Sequence, residues 1–454
     1  MKILLLNPLQ VHLVNNKGKI YNRIWTPLSL ANCAALLEKD GHDVKIIDAN
    51  AERLSPLEVS KLTTGFDKIF VTSSTLDRWQ CPVIDLDPFL NYVKALREVN
   101  DEIYIMGVHG TVKPKEVLEL TNAKAIIRGE PELIVLNLCR NKDISKVKGI
   151  SYKSDGKLFS NESQEFLDLN SLPTPAFHLL PMEKYFYEVL GRNFTLLEGS
   201  RGCASRCSFC LLEMYGKGLR VKSPSKLINE LETVINKFNV KTAYFMDLEF
   251  TFNRSLVMEI CDYLIKKKYD FKWTCQTRFD LVDEELLQKM KNSGCELIHF
   301  GVEAANDSSL KSLGKGLTIK KIEQGMKMVK KVNIRSACFF LMGSINSTLD
   351  DLNDIIKFSK NLNPTYAVFH IAIPYPGTKF YMDVLKNGSR FSDNNLFPEA
   401  YVGNIELKKL KKITRKAYIQ YYFRPKYIIS LILHGQLKYL FQQLKLLLGF
   451  ISQK

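Results

Sequence analysis

The sequence predicts an α/β protein in successive parts. A doubly wound, Rossmann-like sheet domain covers residues 1–140, and a hairpin and linker cover 141–190. A partial (β/α)6 barrel covers 191–385, and a helical C-terminal region covers 386–454. Three observations predict this. Short apolar runs alternate with helical patterns through the first third, the mark of βαβ units around a parallel sheet. Strand-like runs recur at 194–198, 242–246, 271–276, 296–301, 335–341 and 365–371, each before the last followed by a helical pattern. Between the two series, 171–181 holds Pro173, Pro175 and Pro181, which favour an extended connector.

In the first series, residues 2–7 read as a buried strand ended by Asn7-Pro8, and 28–39 as a helix closed near Gly41. Strands follow at 43–48, 68–71, 103–106 and 124–127, with helical patterns around 56–62, 88–98, 114–120 and 131–139. Right-handed crossovers make this a flavodoxin-like or Rossmann-like sheet, whose ligands bind at the carboxyl ends of the strands. Those ends carry Thr72-Ser73-Ser74-Thr75, Gly107-Val108-His109-Gly110-Thr111 and Arg128-Gly129-Glu130. Small hydroxyl residues and glycines let a large ligand approach the backbone, and equally serve as ordinary turn residues. No G-x-G-x-x-G follows the first strand, which argues against a nicotinamide site. Asp155-Gly156 sets the turn of a β-hairpin over 149–161.

The chain has 454 residues, 46% hydrophobic and 25% charged, which excludes a disordered, collagen-like or disulfide-scaffold protein. Its net charge of +16 is spread along the chain, with Lys266 to Lys268 the longest pure lysine run. No compact basic arm accompanies it, so nucleic-acid binding is not the favoured reading. No signal peptide and no spanning helix is expected, which places the ten cysteines in a reducing, cytoplasmic compartment. The run 427–450 is rich in Leu, Ile, Tyr and Phe. It reads either as helices packed over the barrel or the first domain, or as a segment lying on a membrane surface.

The strongest signal is Cys203-x3-Cys207-x2-Cys210, immediately after the first barrel strand. Three thiolates on one short loop suit three irons of a [4Fe–4S] cube and leave the fourth iron open. Structural zinc wants four closed ligands and a ferredoxin cluster wants a fourth cysteine at a set spacing. This loop offers neither. Cys261, Cys275, Cys295 and Cys338 occur singly in predicted elements and read as small buried hydrophobes.

With Phe209 before its last cysteine, this segment resembles the radical SAM superfamily, whose fold is a partial barrel of this kind. The resemblance implies that S-adenosylmethionine (SAM) chelates the open iron and yields a 5′-deoxyadenosyl radical, with an electron donor such as flavodoxin or ferredoxin. It also implies SAM-binding roles for Phe209, Asp247, Glu249, Arg278, Glu303 and Gly343. Asp247 and Glu249 stand where the family binds the SAM amino group, and Arg278 is placed to meet the carboxylate. Glu303, in Gly301-Val302-Glu303-Ala304-Ala305, corresponds to a ribose or amino contact, and Gly343 to the adenine-side loop. The usual Gly-Gly-Glu is replaced by Asp247-Leu248-Glu249-Phe250-Thr251.

The N-terminal third resembles the cobalamin-binding domain of B12-dependent members of that superfamily. The resemblance rests on Thr26-Pro27, the Gly41-His42-Asp43-Val44 end, the Gly-x-His-Gly-Thr loop and Arg128-Gly129-Glu130. It implies cobalamin contacts from Thr26, Pro27, Thr72, Ser73, Ser74, Gly107, His109, Gly110, Arg128, Gly129 and Glu130. No D-x-H-x-x-G supplies a cobalt histidine, as is usual in this family. The expected reaction is methyl transfer to an unactivated carbon, or to phosphorus, of a small molecule. The alternatives are a radical cyclisation or rearrangement without methyl transfer, and modification of a tRNA or peptide.

Overall fold

The computed structural model describes residues 1–9, 24–74, 84–393, 395–425 and 427–429, together with the backbone of a short strand pair, His12–Leu13 and Ile20–Tyr21. The first sheet comprises β1 (Lys2–Asn7), β2 (Asp43–Asp48), β3 (Lys68–Thr72), β4 (Ile103–Met106), β5 (Ala125–Ile127), β6 (Ile150–Ser154) and β7 (Lys157–Ser160), in the order β2-β1-β3-β4-β5-β6-β7. The five leading strands run parallel. Their 2-1-3-4-5 order is the flavodoxin-like variant of the doubly wound sheet. The apolar runs are continuous because both faces are covered. Ile3 and Leu5 join one core, while Leu4 and Leu6 join the other. The segment expected as hairpin and linker contributes its hairpin to this sheet, as β6 and β7 pair antiparallel beyond β5.

The second sheet holds β8 (Phe194–Leu197), β11 (Thr242–Phe245), β12 (Lys272–Thr277), β13 (Cys295–Glu303), β14 (Arg335–Met342) and β15 (Tyr366–Ile371). These six strands lie side by side in chain order and all parallel. Helices Pro224–Phe238, Arg254–Lys267, Glu284–Asn292, Ile319–Val332 and Leu349–Leu362 follow the first five, as the periodicity predicts. A two-stranded ribbon, β9 (Ser200–Cys203) and β10 (Gly218–Val221), stands between β8 and its helix.

The two parts share one apolar core, which runs from helix Leu28–Lys39 to the barrel. At the junction Trp25 packs its ring 5.2 Å from Tyr187, 5.5 Å from Phe194 and 5.7 Å from Tyr244, centroid to centroid. Helix Leu407–Tyr422 packs along β15 on the outside of the barrel. Of the run 427–450, on which the membrane-surface alternative rests, residues 430–450 lie outside the described residues. Among the described residues no helix is long and apolar enough to cross a membrane.

Candidate active site at the barrel mouth

The cysteine loop is fixed by the ribbon that leads into it. Gly202 has φ +80°, and a Cβ there would lie 2.1 Å from the Gly218 carbonyl oxygen. Only glycine admits this close strand approach. Within the loop, the Cys210 N–H donates to the Cys207 carbonyl at 3.2 Å. The Ser208 N–H donates to the Leu313 carbonyl at 2.9 Å, and the Ser208 carbonyl accepts from the Phe380 N–H at 2.8 Å. Segments following β13 and β15 therefore pin the loop across the mouth. Phe209 is half-buried and packs against the apolar cluster of Ala372, Phe380, Val384 and Tyr401.

Cys203, Cys207 and Cys210 are all free thiols. Burial, with Glu249 close by, pushes the Cys203 thiol up to about 12, so its ionisation depends on a bound metal. Among the described residues no three His, Cys, Asp or Glu side chains converge as a single metal ion requires. A cubane cluster places each thiolate on a different iron, so three sulfurs on one loop fit its donor set without meeting at a point. The four cysteines read as core residues, Cys261, Cys275, Cys295 and Cys338, are indeed fully buried.

Arg278 is the hub of the surrounding polar groups. Its Nη1 donates to Ser205 Oγ at 3.1 Å and to the Lys315 carbonyl at 2.6 Å, and Nη2 reaches the Gly316 carbonyl at 3.4 Å. Nε and Nη2 donate to the two Asp280 carboxylate oxygens at 2.9 and 3.0 Å. Glu249 Oε1 lies 3.7 Å from Arg278 Nε and accepts from Ser205 Oγ at 2.5 Å. Glu249 Oε2 is buried and has no well-aligned donor, while the Cys203 thiol hydrogen-bonds the same carboxylate. A buried carboxylate oxygen without a donor is costly, and a ligand ammonium would satisfy it.

Glu303 ends β13 in the left-handed region, φ +69°, after a register shift between Gly301 and Glu303. Its Oε1 accepts from Lys315 Nζ at 3.0 Å, and both side chains are buried. Backbone strain of this kind, held at a strand end, concentrates at functional sites. Asp247 has a different placement. Its Oδ2 accepts from the Gly199 N–H at 2.9 Å and its Oδ1 from Ser200 Oγ at 2.5 Å. Burial pushes its carboxyl up to about 6. It fixes the start of the ribbon, whereas Glu249 faces the cysteine loop. Gly343, with φ +80°, follows β14, and its carbonyl accepts from the Tyr401 hydroxyl at 3.1 Å.

At the carboxyl edge of the first sheet, Thr72 Oγ1 donates to the Ser74 carbonyl at 2.8 Å, and Ser73 Oγ lies 2.9 Å from His109 Nδ1. Gly107, with φ +113°, leaves bare backbone beside them. His109 is buried, its ring edge-on to Phe397 at 4.8 Å. These residues come together, while Thr75 lies outside the described residues.

Other candidates on this sheet are engaged elsewhere. Thr26 reaches Thr195 on β8 at 3.1 Å, and Pro27 precedes helix Leu28–Lys39. Gly110 packs into the sheet, where a Cβ would lie 2.4 Å from Ile126 Cγ2. Arg128 bonds the hairpin carbonyls of Ile150 and Asn161. The Gly129 N–H donates to Thr111 Oγ1 at 3.0 Å. Glu130 is gripped by Arg220, whose Nη1 lies 3.0 Å away, and stands 3.5 Å from Arg201 Nη1.

Sequence reasoning missed Ser205, Lys315 and the Arg201–Arg220 pair. Lys315 had one legible signal, its flanking Gly314 and Gly316, both with positive φ. A Cβ on Gly314 would meet the Arg206 carbonyl oxygen at 2.7 Å, so that loop presses directly against the cysteine loop.

Comparison with known proteins agrees with this geometry. The radical SAM superfamily pattern matches residues 197–359. An uncharacterized methyltransferase of Pyrococcus horikoshii is 30% identical over 446 residues, covering 95% of this chain and 94% of its own. The anaerobic magnesium-protoporphyrin IX monomethyl ester cyclase of Rubrivivax gelatinosus is 28% identical over 374 residues, 79% of this chain and 66% of its own. The structure of the cobalamin-dependent S-adenosylmethionine radical enzyme OxsB, with aqua-cobalamin and S-adenosylmethionine bound, superposes with a TM-score of 0.75 at 17% identity. The match covers 99% of this chain and 72% of that one, and is a likeness of fold.

Proposed function

The chain belongs to the radical SAM superfamily, and from that premise we propose that it is a cobalamin-dependent methyltransferase acting on an unactivated carbon, or on phosphorus, of a small molecule. One observation carries the reading. Three free thiols on a pinned loop stand beside the buried Glu249 carboxylate, which Cys203 touches and whose Oε2 has no well-aligned donor, so cluster ligands and an acceptor for an amino group share one place. When bound, the cluster and SAM supply a 5′-deoxyadenosyl radical, and cobalamin supplies the methyl group.

The chain's own task is to hold and shield these groups. Cys203, Cys207 and Cys210 hold the cluster. Glu249 takes the SAM ammonium, and Glu303 and Gly343 lie at the neighbouring strand ends for the ribose and adenine. Arg278 positions Ser205, Glu249 and the Lys315 loop. Phe209 packs the loop against the apolar cluster that holds Phe380 and Tyr401, which shields that side of the loop. In the first domain, the hydroxyls of Thr72, Ser73 and Ser74 beside Gly107 suit a large amide-bearing ligand at the carboxyl edge, where doubly wound sheets bind. The Pyrococcus relative, a methyltransferase by name, and the cobalamin-bound OxsB fold support this assignment. A second reading, radical ring closure without methyl transfer, is favoured by the Rubrivivax cyclase.

The test is anaerobic reconstitution of the full chain with iron, sulfide and hydroxocobalamin. Metal counts are followed by analysis of SAM products under reduction by flavodoxin. Methyl transfer gives both S-adenosylhomocysteine and 5′-deoxyadenosine, and ring closure gives only the second. Iron without cobalt would sink the cobalamin assignment and leave the radical enzyme standing.

A further inference from the structure

The last two strands of the barrel sheet are covered unequally on their two faces. On the outer face Cys338, Phe340 and Phe369 are buried, and Tyr418 of helix Leu407–Tyr422 meets the Phe369 ring edge-on at 5.2 Å. Alternate residues of a strand point to the opposite face. There Phe339, Leu341 and Val368 are only half-buried, and His370 is exposed. An apolar inner wall thus stands open.

The space beside this wall has a closed floor. His299 on β13 is held by two hydroxyls, Tyr187 Oη at 3.3 Å from Nε2 and Tyr244 Oη at 3.0 Å from Nδ1. The Trp25 ring packs against both tyrosines. Phe339 lies 5.4 Å from His299 and stacks parallel to His370, centroids 5.6 Å apart and planes 5° apart. Leu341 joins the apolar cluster on which Phe209 also packs, so the wall reaches the cysteine loop.

The chemistry of the face is uniform. Level with His299 and above it, the inner positions of β12 to β15 are Gln276, Gly301, Phe339, Leu341, Val368 and His370. No Lys, Arg, Asp or Glu stands among them, and fixed charge begins only with Glu303 and its partner Lys315 at the end of β13. Gln276, the strand neighbour of His299, is half-buried, and its amide makes no side-chain hydrogen bond among the described residues. An amide offers two donors and an acceptor, and leaving them unmet beside apolar groups is costly.

We propose that this inner face seats the substrate and selects a flat, uncharged ring system. Its plane lies along Phe339 and His370, and a polar atom at its edge meets the Gln276 amide. Aromatic faces favour such stacking, and an anion taken into this space would meet no counter-charge. The proposal deepens the methyltransferase reading and rests on it. It puts the accepting atom on carbon, because the oxygens that phosphorus carries are anionic at neutral pH.

The experiment is equilibrium dialysis of three probes against the reconstituted full chain. Indole-3-acetamide is a neutral ring with an amide, 3-methylindole is the ring without it, and phenylphosphonate is an anionic ring. Both indoles are expected to be retained and phenylphosphonate excluded. Phe339→Ala is expected to weaken both indoles about fivefold or more. Gln276→Leu is expected to weaken indole-3-acetamide about fivefold while leaving 3-methylindole unchanged. Retention of phenylphosphonate above the indoles, or of none of the three, would overturn the proposal. Equal loss of both indoles in Gln276→Leu would overturn the role of its amide. Should Phe339→Ala fail to fold, Val368→Trp decides, since it fills the same space with apolar atoms and should expel both indoles. Undiminished retention there would place the indoles elsewhere and overturn the site. Protein that retains the indoles yet makes no S-adenosylhomocysteine from SAM would instead sink the methyl-transfer reading and leave the ring receptor standing.

Discussion

Glu303 holds its place at the end of β13 at the expense of backbone freedom. A non-glycine residue at φ +69° costs on the order of 1 kcal/mol or more, and persists where surrounding contacts over-determine it. Here the contacts are Lys315 Nζ and the bare Cα of Gly301. A methyl group at 301 would stand 2.4 Å from both Glu303 Oε1 and Lys315 Nζ. Both are ends of flexible side chains, so Gly301→Ala should fold, hold its iron and bind SAM more weakly. Titration of SAM alongside a thermal melt separates this outcome from general destabilisation.

Asp48 shows a buried carboxyl of another kind. It bonds the Tyr185 hydroxyl at 2.7 Å and Asn7 Nδ2 at 2.8 Å, and burial pushes it up to about 6 from 3.8. Its folded value lies above its unfolded one. Its stabilising contribution is therefore complete below about pH 4 and lost as pH rises through about 6. Thermal unfolding of wild type should thus lose about 1 kcal/mol more than Asp48→Asn between pH 5 and 7.5. Parallel pH profiles for the two proteins would refute this.

At the scale of the element, the last barrel strand poses the sharpest problem. A six-stranded partial barrel leaves β15 as an edge, and an unpaired row of N–H and C=O groups invites misassociation. Helix Leu407–Tyr422 covers it with hydroxyls. Tyr418 Oη accepts from the Phe369 N–H at 3.1 Å and donates to the Phe369 carbonyl at 3.2 Å, and Tyr422 Oη does the same for Ala367 at 3.1 and 3.0 Å. The match is geometric, since four helical residues rise about 6 Å and two strand residues about 6.6 Å. Removing both hydroxyls by Tyr418→Phe and Tyr422→Phe strands four backbone groups while keeping the rings. Loss of about 1–3 kcal/mol per site in denaturant unfolding is expected, with faster amide exchange at 367 and 369. Unchanged exchange there would mean that the apolar packing alone guards the edge.

This device was invisible in the sequence, where the stretch reads simply as part of a helical C-terminal region. The strands and helices were legible because their periodicities differ, and the cysteine triplet because its spacing is rarely produced by chance. Lys315 had only its flanking glycines as a signal, and nothing local pairs it with Glu303, which stands twelve positions earlier with a helix between them. The resemblance implies ligand contacts from Arg128 and Glu130, and only side-chain geometry shows that they bond the hairpin and the ribbon. Asp247 and Glu249 are two residues apart, and no local pattern says which of them faces the cysteines.

Across the whole molecule, the two parts are joined by a buried charge network beneath the ribbon. Arg201 Nη2 donates to Glu132 Oε1 at 2.6 Å and to Glu198 Oε1 at 2.9 Å, while Nη1 stands 3.5 Å from Glu130. Its cross-strand neighbour Arg220 grips Glu130, and Lys222 bonds Glu230 at 2.8 and 3.0 Å. Glu130 and Glu132 come from the first domain, so the residue two places before Cys203 is tied directly to the loop after β5. Buried ion pairs contribute little net stability over an apolar replacement, but removing one member leaves the others uncompensated at about 3–5 kcal/mol. Arg201→Met should therefore lower stability by about that amount. The apolar core is nevertheless continuous from helix Leu28–Lys39 through Trp25 to Tyr244, and the substitution leaves it untouched. Calorimetry of the variant should then show a single transition moved to lower temperature. Two separated transitions would mean that the charges, and not the shared core, hold the domains together, and that the ribbon's arginines set the distance between the two cofactor sites.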